Sequence, residues 1–361
     1  MIDKIKIVVS DFSGSFSNCK KISRKLILDP DEIEYDNYRL KNKAKLAKQH
    51  LTIRHNKRTN KVTIIGSIRK YAYNKLSLRD LTKETFARTI QTLARELEIP
   101  FREFKQAKFT NCEIGANVNI RHDVKEVLKM IVAYSTLERK GNEIENGTLY
   151  FEGKDMKVSL YAKDLEIANK AHYSKRERKH YAFERMRIKG NNMLRIEFEL
   201  FYQRTFQNQK MSHIKTVGDL IEYYNDLYFF WASQISRFIF MNKLDGSSAN
   251  LKRLEYDIIA DLEKKPFEVV LKDLQGFMSR NSKTKNSKKD ARSRARRVVL
   301  NVLKNHNDRS EYHVYNFRTD IVKKFLLARS KSENLNFRHI LQTLWGISPN
   351  LNLKGNQYSP V

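Results

Sequence analysis

Strand-like and helix-like patterns take turns over the first 205 or so positions, and helical periodicity marks nearly everything after them. Short β-type runs occur at "IKIVV" (5–9), "HLTIRH" (50–55) and "KVTIIGSIRKY" (61–71), the last two joined by the turn-forming "NKRTN". The segment 76–97 instead places Leu78, Leu81, Phe86, Ile90, Leu93 and Leu97 on one helical face, with Ser77 and Asp80 spaced as a capping box and Pro100 beyond the end. A strand then covers 111–121, a helix 123–137, and two further strands 156–167 and 193–202, with a basic connection over 169–192. Helical windows follow at 216–242, 249–263, 266–279, 290–305, 318–330 and 335–345. The pattern predicts an α+β fold: a central antiparallel or mixed sheet backed by helices over residues 1–205, then an all-helical C-terminal domain over 206–361.

Three strands carry unusual polar faces. In "NCEIGANVNIR" (111–121), Cys112, Ile114, Ala116, Val118 and Ile120 point one way, while Asn111, Glu113, Gly115, Asn117, Asn119 and Arg121 point the other. "KVSLYAK" directs Val158, Leu160 and Ala162 to one side and Lys157, Ser159, Tyr161 and Lys163 to its opposite. "LRIEFEL" buries Leu194, Ile196, Phe198 and Leu200 and leaves Arg195, Glu197 and Glu199 together. Over one core, these faces merge into a surface of carboxylates, amides, a tyrosine and cations.

Charge sharpens the picture. Lys and Arg total 70 and Asp and Glu 41, a formal net charge of +29 spread along the chain. Such an excess opposes compaction and calls for a polyanionic partner, nucleic acid ahead of an anionic membrane. The segment 280–297, "RNSKTKNSKKDARSRARR", holds nine Lys/Arg against Asp290 alone and suits phosphate tracking as well as a solvated linker. No membrane span is expected: the most apolar stretch, 227–241, contains Gln234 and Arg237 and is shorter than the roughly 20 apolar residues a bilayer requires. Two cysteines, Cys19 and Cys112, offer neither a disulfide framework nor zinc spacing, and "MIDKIKIVVSDF" is too short in its apolar run for a signal peptide, so a reduced cytoplasm is the expected setting.

The polar faces have a chemical use. Carboxylate and amide oxygens suit Mg²⁺ or Mn²⁺, hard ions that often bind a substrate phosphate at the same time. A tyrosine beside such a centre attacks phosphorus and forms a covalent protein–DNA ester. Lys163, two residues from Tyr161, assists loss of the phenol proton or holds the phosphate. Gly115 leaves room for close approach by a backbone or a nucleotide. Each residue taken alone also suits a wet sheet face, where Glu197 and Glu199 form cross-strand ion pairs with Arg195.

At these same positions the chain resembles a family. The succession "GSIRKYAYN", "CEIGANVNI", "VSLYAKDLEI", "LRIEFEL", with the start "MIDKIKI", looks like the replication initiators of filamentous phages and related plasmid elements, rolling-circle nicking endonucleases of the broad HUH class. The resemblance covers about residues 1–205 and implies an HUH-like nicking domain that cleaves one strand at an origin and keeps the 5′ phosphate on a tyrosine. It implies Tyr161 as nucleophile with Lys163 accompanying it, a Mg²⁺ or Mn²⁺ site from Glu113, Asn117, Asn119 and Glu197, and origin DNA, single-stranded or supercoiled, with host helicase and polymerase as partners. Chemistry alone leaves Glu197 and Glu199 equivalent; the family position favours Glu197. The class's histidine pair is replaced by Asn117-Val118-Asn119, and Tyr71, Tyr73 and Tyr173 are the candidates for any second tyrosine. The cations expected to grip nucleic acid are Arg69, Lys70, Arg121, Arg195, Lys288, Arg292 and Arg296. Two alternatives remain: a non-catalytic DNA- or RNA-binding replication protein, and a mobilisation relaxase or transposase using the same chemistry.

Overall fold

In the computed structural model, the residues described are 1–27, 33–41, 50–73, 77–135, 137–140, 144–168, 175, 178–179, 182, 192–208, 211–242, 251–281, 290–309 and 320–321. The strands are β1 (Ile2–Val9), β2 (Cys19–Ile27), β3 (Ile33–Lys41), β4 (His50–Asn56), β5 (Lys61–Ser67), β6 (Lys108–Asn119), β7 (Ile131–Tyr134), β8 (Glu138–Lys140), β9 (Thr148–Glu152), β10 (Met156–Ala162), β11 (Met193–Leu200) and β12 (Phe238–Phe240). Ten of them form one sheet in the order β2-β3-β4-β5-β1-β6-β11-β10-β9-β8, and β12 pairs with β7 in a second. Every pairing is antiparallel, so the sheet is antiparallel rather than mixed. The sheet and the helices packed on it make an α+β architecture.

Alternation places the core. Ile5, Ile7, Leu51, Ile53, Val62, Ile64, Ile114, Ala116, Leu194 and Ile196 are all buried and share one cluster with Phe86, Ile90 and Leu93 of the helix Lys83–Glu96. Trp231, from the helix Asp226–Ile235, enters the same cluster and donates its indole N–H to the carbonyl of Ile196 at 3.1 Å. The expected boundary at 205 falls within this core, because Phe206, Val217, Leu220 and Ile235 pack there too. A separate cluster joins Ile259, Val270, Leu271, Val299 and Leu303 from the helices Arg253–Lys264, Phe267–Arg280 and Ala291–Arg309. Among the described residues no helix is long and apolar enough to cross a membrane.

Several elements differ from the periodicity, each for a local reason. The strand expected over 61–71 ends at Ser67, whose side chain accepts from the Lys70 amide and caps a short helix, Ile68–Ala72. The next helix begins at Lys83 under a Thr82 cap, not at Ser77, because Asp80 is drawn to the end of β6. The helix expected over 123–137 stops at Met130, and Ile131–Tyr134 pairs with β12, with the Tyr134 hydroxyl donating to Gln234 at 2.6 Å. Cross-strand pairing of β-branched and aromatic residues overrides helical spacing there. The window 216–242 divides into Val217–Glu222, Asp226–Ile235 and β12; between the helices, Tyr224 turns inward to donate to the Leu81 carbonyl. The strand expected over 156–167 ends at Ala162 and continues as the helix Lys163–Ala168. The window 335–345 and, apart from residues 320–321, the window 318–330 lie outside the described residues, as do most of 169–192 and of the segment 280–289.

The Trp231 contact ties helix to sheet at one buried hydrogen bond. Trp231→Phe is expected to cost about 1–3 kcal/mol, from the lost bond and the smaller ring, read as a lower urea midpoint with an unchanged slope.

Candidate active site

Four adjacent strands, β1, β6, β11 and β10, assemble the site. Residues directly opposite one another in the ladders share a face. Glu113 lies opposite Glu199, Gly115 opposite Glu197 and Asn117 opposite Arg195; on the other side of β11, Tyr161 lies opposite Arg195 and Ser159 opposite Glu197. Parity therefore places Tyr161, Arg195, Glu197 and Glu113 on one face, and the register of the ladders brings them together.

Asp3 joins them by a different route. By parity it belongs with Ile5, Ile7 and Val9. However, Ile2 pairs with Ile114 and Ile5 with Cys112, so two residues, Asp3 and Lys4, stand opposite the single residue Glu113. Such a bulge breaks the alternation and brings both side chains to the polar face. Asp3, Glu113 and Glu197, all buried, then each offer an oxygen within 4.8 Å of the others. Asp3 was missed by periodicity; its one sequence signal is a carboxylate inside the apolar run that opens the chain.

Arg195 is fully buried and its guanidinium organises the group. It donates from Nε to Glu197 Oε1 (2.5 Å), from Nη2 to Asp3 Oδ2 (2.6 Å), and from Nη1 to Asn117 Oδ1 (3.1 Å) and Asp80 Oδ1 (3.4 Å). Arg69 Nε reaches Asp3 Oδ2 at 2.8 Å and its Nη1 reaches the Ser77 carbonyl at 2.6 Å, while the Ser67 hydroxyl donates to Asp3 Oδ1. Arg69 and Arg195 are thus interior counter-ions, which corrects the expectation that they face nucleic acid: each is surrounded by carboxylate and carbonyl oxygens that repay its loss of hydration.

Burial and charge divide the carboxylates. Burial opposes ionisation of Asp3, but Arg69 and Arg195 overcome it and hold its carboxyl well below the usual range. Burial is likewise outweighed at Glu197, which Arg195 lowers. Glu113 lies beyond the arginines: burial, then Glu197 and Asp3, push it up to about 8, against Lys4, whose Nζ lies 2.5 Å from Oε2. Its other oxygen, Oε1, is enclosed with no hydrogen-bond partner among the described residues.

Tyr161 donates its hydroxyl to Glu197 Oε1 at 2.9 Å, and burial together with Glu197 raises the phenol well above its usual value. Lys163, the first residue of its helix, is buried, pairs with Glu166, and holds Nζ 5.3 Å from the centre of the Tyr161 ring; burial lowers it to about 8. Gly115 serves the site differently from expectation: a Cβ there would lie 2.8 Å from Glu197 Cγ and 3.2 Å from Arg195 Nη2, so the space admits these two side chains rather than a nucleotide.

Of the other expected residues, Asn117 is committed elsewhere: its oxygen accepts from Arg195 and its amide donates to the Leu78 carbonyl at 2.6 Å. Asn119 is exposed at the end of β6, opposite Met193. Neither belongs to the carboxylate group, because the amides follow Arg195 and the strand end. Arg121 pairs with Asp320 (3.3 Å), Arg296 donates to the Ser135 carbonyl (2.8 Å), Arg292 is exposed, Lys70 is half-buried on the helix after β5, and Lys288 lies outside the described residues. Tyr71 is buried and raised by desolvation, Tyr73 donates to the Asp80 carbonyl at 3.4 Å, and Tyr173 is likewise outside.

The donors fit a hard divalent cation. Glu113 has an orphaned buried oxygen, three carboxylates converge, and a cation would offset both the burial and the repulsion from Glu197 and Asp3 that raise Glu113. Asp3 contributes less freely than the other two, since both its oxygens already accept hydrogen bonds.

No family model matches the chain, and no curated protein matches it. Among solved structures, the rolling circle replication initiator protein from Geobacillus stearothermophilus aligns with 73% of this chain and 96% of its own, at 14% sequence identity and a TM-score of 0.30.

Two outcomes follow from the charges. Arg195→Met leaves Asp3 and Glu197 buried beside one another without their shared cation and is expected to cost about 3–5 kcal/mol in urea unfolding, with Arg195→Lys only partly restoring it because an ammonium lacks the fork. Without divalent ions, folded Glu113 keeps a proton that the unfolded chain has lost between its ordinary value of 4.5 and about 8. Its contribution to stability is therefore full below the unfolded value and falls as pH rises through that window. Glu113→Gln should flatten this slope in thermal melts from pH 5 to 8.

Proposed function

We propose that this protein is a rolling-circle DNA replication initiator of the HUH-like kind, which nicks one strand at an origin through Tyr161 and later rejoins it. The observation that carries this is the Tyr161 hydroxyl bonded at 2.9 Å to a carboxylate, Glu197, within a convergent group of three. The net charge of +29 and a succession of motifs that resembles that of such initiators support it. Residues from 1 to the end of the sheet core would carry the chemistry, and the helices beyond it would bind origin DNA or replication partners.

The chain's own groups divide the work. Tyr161 is protonated at neutral pH, so attack requires a base, and Glu197 Oε1 already accepts its proton. As the phenol oxygen bonds to phosphorus, that proton passes to Glu197 and the bond from phosphorus to the 3′ oxygen breaks. The products are a 5′ phosphotyrosyl ester and, once the leaving oxygen has taken a proton, a 3′ hydroxyl; reversal rejoins the strand. Arg195 keeps Glu197 ionised and oriented, and Lys163 places positive charge beside the ring. A Mg²⁺ or Mn²⁺ ion held by Glu113 and Glu197, with Asp3 adjoining, would supply Lewis-acid stabilisation of the phosphate oxygens.

Incubated with supercoiled DNA carrying its own origin and Mn²⁺, the protein should form a covalent adduct at a 5′ end. Tyr161→Phe should abolish the adduct and retain DNA binding; an adduct that persists in this variant rules out Tyr161 as nucleophile. Glu113→Ala should lose the rise in melting temperature that Mn²⁺ gives the unaltered protein and slow nicking by at least tenfold.

A further inference from the structure

The polar face that holds the site does not end at β1. Following directly opposed residues across the sheet, Lys6 leads to Ile65, Ile65 to Thr52, Thr52 to Arg39, and Arg39 to Lys20. This is one row crossing β1, β5, β4, β3 and β2, roughly 19 Å from end to end at ~4.8 Å per strand. Lys6, Thr52, Arg39 and Lys20 are exposed. In the neighbouring row, Arg54 stands between Thr63 and Asn37, and its guanidinium lies 5.5 Å from the centre of the Tyr35 ring on the same face.

The signs on this face are not mixed. Between Lys6 and Lys20 it carries no carboxylate among the described residues; the acid of β3, Asp36, is turned to the other side, where Lys21 and Lys57 hold it. The row also joins the site. Lys6 stands opposite Asn111, which donates to Glu199, and Lys4, two residues back on the same strand, is bonded to Glu113.

We infer that this row is the path of the single-stranded DNA leading to Tyr161, with Lys6, Arg54, Arg39 and Lys20 tracking phosphates and the Tyr35–Arg54 pair stacking a base. It rests on the proposed nicking activity for its direction toward Tyr161. An open face with a narrow path of cations suits a single strand, whose phosphates and bases are both accessible, and combining a basic path with an aromatic platform gives binding tolerant of sequence. A duplex would present two phosphate rails across a groove and meet only one of them here.

The test uses the full chain carrying Tyr161→Phe, so that no cleavage intervenes, and measures anisotropy of a labelled thirty-nucleotide oligothymidylate across 50–300 mM NaCl. Adding Arg39→Glu and Arg54→Glu should weaken binding at least tenfold and reduce the slope of log affinity against log salt by about 1.4, from two lost phosphate contacts. Arg88→Glu, exposed on the helix Lys83–Glu96 that packs on the apolar side of the sheet, should change neither. Arg39→Gln with Arg54→Gln gives a smaller loss in the same direction and serves where reversed charges prevent folding. An unchanged slope, a loss matched by Arg88→Glu, or equal competition by duplex DNA, by RNA of the same length or by anionic vesicles would overturn the inference. Because binding alone is read, failure here leaves adduct formation intact, and failure of adduct formation leaves this binding result standing.

Discussion

A single buried guanidinium, that of Arg195, sets the terms for the site. It reaches Glu197 on its own strand, Asp3 on β1, Asn117 on β6 and Asp80 from the segment before the first long helix. Four separate parts of the chain thus meet at one cation. A planar fork can serve several oxygens at once, which a lysine could not. The arrangement also sorts protons: Asp3 and Glu197 lie close enough to be held ionised, whereas Glu113 is left to burial and to its neighbours' negative charge. The result is a carboxylate group with one member poised to exchange its proton for a cation.

Backbone devices make that meeting possible. The bulge opposite Glu113 turns Asp3 out of the apolar face it would otherwise occupy. Gly115, opposite Glu197, omits the side chain that would collide with both Glu197 and Arg195. Where β1 runs out, the Gly115 amide donates to the Met1 carbonyl, and two residues further along β6 the Asp80 carboxylate accepts from the Asn117 amide. A carboxylate thereby replaces a strand as the partner of a backbone donor, and the same group supports Arg195.

The positive charge of the chain acquires different meanings in different places. At Arg69 and Arg195 it is internal, holding carboxylates in the buried interior. Across β1 to β2 it lies open to solvent on one side of the sheet, with the apolar side packed beneath it. Helical segments that periodicity assigned to a second domain complete the first core, through Trp231 and its neighbours, while a smaller core gathers the later helices.

Alternation in β6, β10 and β11 was enough to bring Tyr161, Glu113, Arg195 and Glu197 to one face, because side-chain direction in a strand is a local property of the backbone. It was also enough to identify six of the sheet's ten strands, β1, β4, β5, β6, β10 and β11, but not β2, β3, β8 or β9. What it did not determine was anything requiring knowledge of a partner. Asp3 reached the site through a mismatch in length between two paired strands, invisible in either strand alone. Arg69 and Arg195 turned from expected phosphate contacts into buried counter-ions because the acids that satisfy them come from distant segments. Asn117, read as a metal ligand from its type and parity, was claimed by Arg195 and the Leu78 carbonyl. Ile131–Tyr134 became a strand because β12 offered it a ladder. Residue order specifies which way a side chain points; only the assembled sheet decides what it meets there, since that depends on hydrogen-bond register and on charges brought together from across the chain.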